Sequence, residues 1–258
     1  MTRSREFDDL ISEASAASVD GWGFSWLDGR ATEARPSWRY SQLLTRRAAK
    51  AEALLDIQTG GGEVLAEVLH GAKPKPGLVA ATDSWPPNVA IARHNLEGID
   101  AVVAECANDA ALPFDTDSFD LVTSRHPVLI RWDEVARVLR SRGSYLGQHV
   151  GPGSNRELTD FFMGPQPVGT ARTARKAVED AAVQGLELVD LREESLRVEF
   201  YDIGAVVFFL RKVIWTVPGF SVEEYRDQLR QLHDQITTDG AFVSHATRYL
   251  IELAKPPR

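Results

Sequence analysis

The chain has 258 residues, 43% of them hydrophobic and 26% charged, and a net charge of −8. Collagen, coiled coil and wholesale disorder are excluded, because a chain of this kind can bury about three quarters of its unfolded surface in an ordinary core. The single cysteine, Cys106, rules out an internal disulfide and a structural zinc site of several thiolates.

The opening MTRSREFDDLISEAS carries acids where a signal peptide needs an apolar core. The longest apolar run, 205–210 (AVVFFL), falls far short of the roughly 20 residues of a membrane span. A cytoplasmic protein without a membrane span is expected. Residues 51–150 hold 8 basic against 14 acidic residues. A nucleic-acid partner calls for a basic face, so the charge argues against one.

Residues 1–50 contain a dense aromatic stretch with Trp22, Phe24, Trp26, Trp38 and Tyr40, then a predicted helix over 41–51. From there strands and helices alternate. Strands are predicted at 53–57, 78–82, 101–104, 120–124 and 144–150. Helices are predicted over 63–69, from the proline pair at 86–87 to Leu96, and over 133–140. Strands separated by helices imply a parallel sheet covered on both faces. Residues 151–170, rich in Gly and Pro, read as a loop. A helix over 173–184, a strand within 186–200, a helix over 221–236 and a last strand over 241–253 complete the pattern. The sequence has no internal repeat.

Three motifs carry chemistry. Asp56-Ile57-Gln58-Thr59-Gly60-Gly61-Gly62-Glu63 joins a strand to a helix. Glycines there permit a tight turn and close approach to a ligand, and the helix start offers free N–H groups to an anion. The third glycine of a dinucleotide fingerprint is missing, and no Gly-Lys-Ser/Thr follows as in a P-loop. Asp83 ends the next strand, where an acid can accept both hydroxyls of a ribose or cap the following helix. Asn108 and Asp109 precede Ala-Ala-Leu-Pro-Phe, and Ser118-Phe119-Asp120-Leu121-Val122 follows. Histidines at 70, 94, 233 and 245 have no metal spacing, and no metal is expected.

As a set, DIQTGGGE, ATD, NDAALPF, SFDLV and VLRSRGS resemble the class I S-adenosylmethionine-dependent methyltransferases. The resemblance is to the group that includes the ubiquinone and menaquinone biosynthesis methyltransferases, and it covers residues 50–150. It implies a Rossmann-like, doubly wound α/β fold, with a mostly parallel seven-stranded sheet and helices on both faces. An N-terminal lid and helix (1–50), the cofactor-binding core (51–150) and the rest of the sheet with a helical substrate-cap insertion (151–258) would form one structural domain.

The cofactor implied is S-adenosylmethionine, with a small-molecule acceptor. By resemblance Asp56, Gln58, Gly60 and Gly62 would lie at the methionine part and Asp83 at the ribose. Ser84 or Trp85 would meet adenine, Asn108 and Asp109 its edge, and Ser124 and Arg125 the methionine end. Gln58 stands where the family has its first glycine, and contact between its side chain and the methionine group is expected. Arg142-Gly143 replaces a Gly-Gly pair. His126 is the first candidate for a general base and His149 the second, since an ordinary imidazole titrates near pH 6.5. Trp26, Trp38 and Tyr40 are expected to shape the acceptor pocket. A non-catalytic relative that keeps the fold and a nicotinamide-dependent oxidoreductase are the alternatives.

Overall fold

A computed structural model describes residues 6–19 and 23–257. Trp22 lies outside the described residues. In chain order the elements begin with α1 (Phe7–Ala16), β1 (Ala31–Glu33), α2 (Tyr40–Ala48), β2 (Ala53–Ile57), α3 (Glu63–Gly71) and β3 (Leu78–Asp83). Next come α4 (Pro86–Asn95), β4 (Ala101–Glu105), β5 (Phe119–Arg125), α5 (Trp132–Val138), β6 (Leu139–Val150) and α6 (Arg156–Met163). The chain closes with α7 (Ala174–Val183), β7 (Glu187–Phe200), α8 (Ile203–Lys212), α9 (Arg226–Asp239) and β8 (Phe242–Ala254).

Hydrogen bonding orders the strands β1-β7-β8-β6-β5-β2-β3-β4. Strands β4, β3, β2, β5 and β6 are mutually parallel, and β8 runs antiparallel to β6. This is the Rossmann-like α/β fold expected, with eight strands instead of seven. The additional strand is the three-residue edge strand β1 (ATE), paired with β7. It has no apolar alternation, so nothing in its sequence marks it.

The chain divides into two compact units. The larger comprises 36–152, 170–194 and 248–258. Alternate residues along its strands enter two separate cores: Leu55, Val122, Tyr145 and Ile251 go to one, Leu54, Leu121, Leu146 and Leu250 to the other. Helices cover both faces, which is why these strands read as continuous apolar runs. The smaller unit comprises the described residues of 1–35, with 153–169 and 195–247. Its core gathers Phe7, Leu10, Leu158, Phe162, Val207 and Leu232 from α1, α6, α8 and α9.

Local chemistry explains most helix starts. Thr173 caps α7 by accepting the Lys176 N–H, and Asp202 caps α8 by accepting that of Ala205. Proline occupies the first turn of α4, where its missing N–H costs nothing. Residues 151–170 are not all loop, because α6 buries Leu158 and Phe162 at i and i+4. The flanking glycines and prolines hid that stripe. Helix α5 stops at Val138, two residues early. Leu139 is buried and opens β6 opposite Phe119, so tertiary pairing overrides helical propensity there. Helix α9 begins at Arg226, with 222–225 forming turns, and α1 adds a helix within the predicted lid segment.

Candidate active site

The larger unit carries every motif. At the C-terminal end of β2 the chain turns sharply, with Gln58 at φ 56°, Gly60 at 64° and Gly62 at 75°. The two glycines serve different ends. A Cβ on Gly62 would press at 3.3 Å on Ala92 and Leu96, so that position lets α3 pack on α4. A Cβ on Gly60 would meet no atom within 4 Å, so open space lies before it. Asp56, buried at the strand end, accepts the Thr123 hydroxyl at 2.6 Å. Burial pushes its carboxyl up to about 6, against the Thr123 bond.

Asp83 is also buried, and it ties three backbone segments together. Its Oδ2 accepts the Gly60 N–H at 2.9 Å, and Oδ1 accepts the Trp85 N–H at 3.0 Å and the Asn88 amide at 3.1 Å. The acid thus fastens the glycine turn to the first turn of α4 and leaves Oδ2 able to accept another donor. Ser84 is half-buried, and the Trp85 indole is exposed at the rim.

Beside this turn lies a cleft whose walls include Ile57, Thr82, Ala107, Asn108, Leu112 and Leu129. Gln58, Cys106 and Arg131 complete a mixed polar and apolar lining, and the Asn108 Oδ1 is buried with no hydrogen-bond partner. An acceptor left in that condition costs about 1–3 kcal/mol, which a ligand amino group would relieve. A purine edge with an exocyclic amine suits such a slot. Asp109 is exposed, and its carbonyl accepts from the Arg131 guanidinium at 2.8 Å. The residues present therefore fit an adenosine cofactor: an acid for hydroxyls, an orphan acceptor for an amine, and a glycine that leaves space.

At the end of β5, the Ser124 hydroxyl lies 2.6 Å from that of Tyr145, and Arg125 is exposed. His126 adopts φ 56°, and its Nε2 stands 2.9 Å from the Gln148 Nε2. The Trp38 indole donates to Gln148 Oε1 at 2.7 Å. An indole only donates, so the Gln148 amide must turn its NH2 towards His126. The network thereby assigns the His126 lone pair to Nε2 and its proton to Nδ1. Burial, Arg125, Arg248 and His149 hold His126 well below the usual imidazole range.

His149 is sealed. Its Nε2 lies 2.7 Å from the Tyr145 hydroxyl, its Nδ1 lies 3.0 Å from that of Tyr249, and Trp132 stacks parallel to it. Burial lowers its pKa to about 3. With both ring nitrogens engaged inside the core, it fixes strands β6 and β8 in place of serving as a base. Gly147 makes this possible, for a Cβ there would sit 2.4 Å from the Tyr145 hydroxyl and 2.6 Å from His149 Nε2. Gly147→Ala is therefore expected to lower stability by roughly 2–4 kcal/mol, through overpacking and a broken buried hydrogen bond. Chemical denaturation measures it, and a midpoint equal to wild type would contradict the packing described.

The aromatic residues expected in the acceptor pocket are placed as follows. Trp38 and Tyr40 are core residues, each 5% exposed, and the Tyr40 hydroxyl donates to the Ser124 carbonyl at 3.1 Å. Trp26 belongs to the smaller unit, where it stacks on Phe208 at 4.7 Å beneath the Arg30 guanidinium. Large rings with polar edges satisfied by the protein pack inward, and sequence alone did not separate that from a pocket lining. Gln148, Arg131 and Leu129, which sequence reasoning passed over, do belong to the site. None stands in a motif, and only the fold brings them to the strand ends.

Among the described residues, no helix is long and apolar enough to cross a membrane. No group of three His, Cys, Asp or Glu side chains there is placed to hold a metal ion.

Comparison with known proteins places this geometry. Residues 55–146 match a family model described as a methyltransferase domain. No curated protein matches the sequence. Among solved structures, a methyltransferase candidate from Bacillus halodurans is 18% identical, with a TM-score of 0.59 over 84% of this chain and 98% of its own. A candidate sarcosine dimethylglycine methyltransferase from Galdieria sulphuraria is 16% identical, with a TM-score of 0.52 over 98% and 99%. The [4+2]-cyclase SpnF is 16% identical, with a TM-score of 0.53 over 97% and 93%. At these identities the likeness is one of fold, and the cyclase illustrates that one fold carries more than one chemistry.

Proposed function

We propose that the chain, whose residues 55–146 match a family model described as a methyltransferase domain, is a methyltransferase dependent on S-adenosylmethionine that methylates a small-molecule acceptor by in-line displacement. The orphaned Asn108 Oδ1 in the cleft carries this reading, because it leaves a purine amine as its natural partner. Asp83 holds a ribose hydroxyl through Oδ2, and Gly60 leaves room for the methionine part. The bound cofactor supplies a methyl group already activated on a sulfonium, so the protein's task is alignment. Asp56, Arg125 and Ser124 border the methionine end. Calorimetric titration with S-adenosylmethionine, S-adenosylhomocysteine and NAD(H) tests the assignment. Binding of NAD(H) in preference to the other two would overturn it.

His126 stands beside the acceptor, and its hydrogen bonds make it a positioning donor through Nδ1 and not a base. The lone pair a base would use is held by Gln148. His126→Ala is expected to cut turnover less than about tenfold, below the 10²–10⁴-fold a general base contributes. A loss in that larger range would restore the base. The pH profile separates the two further. Since His126 stays neutral well below its ordinary range, an inflection near pH 6 belongs to Asp56, whose carboxyl is pushed up to about 6. Above that pH Asp56 is charged and attracts a cationic cofactor, so affinity should fall as pH drops through about 6. His126→Ala should preserve that inflection. A raised carboxyl opposes folding when charged, so Asp56 makes the fold less stable as pH rises from 3.8 to about 6.

A further inference from the structure

The segment after β5 crosses back over the cleft as a strap, and two side chains pin it. Gln58 binds it by both ends of its amide: Oε1 accepts the Val128 N–H at 2.7 Å, and Nε2 donates to the Leu129 carbonyl. Three residues on, Arg131 donates to the Asp109 carbonyl at 2.8 Å across the same opening. Gln58, Leu129, Arg131 and Asn108 all line the cleft, so the strap forms one of its walls. The middle of the strap is little buried. Val128 is 58% exposed and Leu129 47%, so burial contributes little to holding these two residues, whereas Ile130 packs on the core at the far end.

From this geometry we infer that Gln58 is a positioning residue: its amide latches the 127–131 strap over the cofactor cleft and sets how fast cofactor product leaves. The inference rests on the cofactor reading above. It also accounts for a non-glycine residue at this left-handed position. A glycine would relieve the backbone but lose both bonds to the strap. The amide offers one acceptor and one donor to one N–H and one C=O of neighbouring residues.

Two variants of the full chain test it. Gln58→Gly removes the amide. Gln58→Asn keeps an amide on a residue that tolerates the left-handed conformation but shortens its reach by one methylene. Hydrogen exchange of the Val128 amide, measured without ligand, reads the latch directly. The dissociation rate of S-adenosylhomocysteine, measured by stopped flow, reads the gate. Both variants should speed Val128 exchange and raise the dissociation rate by about tenfold or more, as the loss of two ordinary hydrogen bonds implies. Arg131→Met should raise the rate further in either background.

Unchanged Val128 exchange would overturn the latch. Faster exchange with unchanged release would overturn the gate. Faster release with unchanged exchange would mean that Gln58 touches the cofactor itself, which also overturns the proposal. If the wild type binds no S-adenosylhomocysteine, the cofactor reading fails, and the exchange data still decide whether the latch exists.

Discussion

Asp83→Ala is expected to weaken S-adenosylhomocysteine binding at least tenfold. A hydrogen bond to a charged group is worth about 1.5–3 kcal/mol, and the ribose would lose its bond to the free lone pair of this carboxylate. The structure adds a second consequence. The same carboxylate receives three protein donors, from Gly60, Trp85 and Asn88, so the variant should also lose roughly 2–4 kcal/mol of stability as these go unmet. The two effects can be told apart. Asn88→Ala removes one of the structural donors and nothing that faces a ligand, so it should melt lower while its dissociation constant stays within about threefold of wild type. Calorimetry below the melting temperature of each variant gives the comparison. A folded Asp83→Ala protein with wild-type affinity would remove the ribose from this site.

Gly60→Ala and Gly62→Ala should fail in opposite ways, although two positions separate them. Both place a side chain at positive φ, which costs each about 1 kcal/mol. Beyond that shared strain, a methyl on Gly62 meets the backbone and side chain of Ala92, so stability should drop by roughly 2–3 kcal/mol in all. A methyl on Gly60 meets no protein atom and enters the open space before the turn. There the protein should fold nearly as well as wild type and bind S-adenosylhomocysteine about 10–100-fold more weakly, from the same overpacking applied to a ligand. Thermal melting and titration of the pair decide the matter. A Gly60→Ala protein that binds normally would show that the cofactor does not pass this glycine.

The parallel core was legible in the chain because its evidence is local. Strands β2 and β3 are short runs that are apolar up to their ends, and β5 keeps the apolar centre Leu121-Val122, because both faces of the sheet are buried. The glycine turn, Asp83 and Asn108 announce themselves by order and spacing, since a ligand bound at strand ends is met by whatever residues end the strands. The Gly/Pro content of 151–170 and the polar ATE of β1 carry no comparable local signal, so α6 and the eighth strand had to wait for the core that buries Leu158 and the β7 residues 198–200 that pair with β1.

The roles of individual side chains depended on tertiary structure for a further reason. A histidine, tyrosine or tryptophan carries one chemistry in water and another when its polar atoms are already bonded inside the protein. Sequence placed His126, His149, Trp38 and Tyr40 near the strand ends. Which nitrogen of His126 is free was settled by Gln148, and that glutamine is oriented by an indole 110 positions away in the chain. His149 is silenced by Tyr145 and Tyr249, the latter 100 positions distant. Composition and spacing determine that this chain builds a cofactor cleft at the end of a parallel sheet. The hydrogen-bond partners, brought together only by folding, decide what each group at that cleft is able to do.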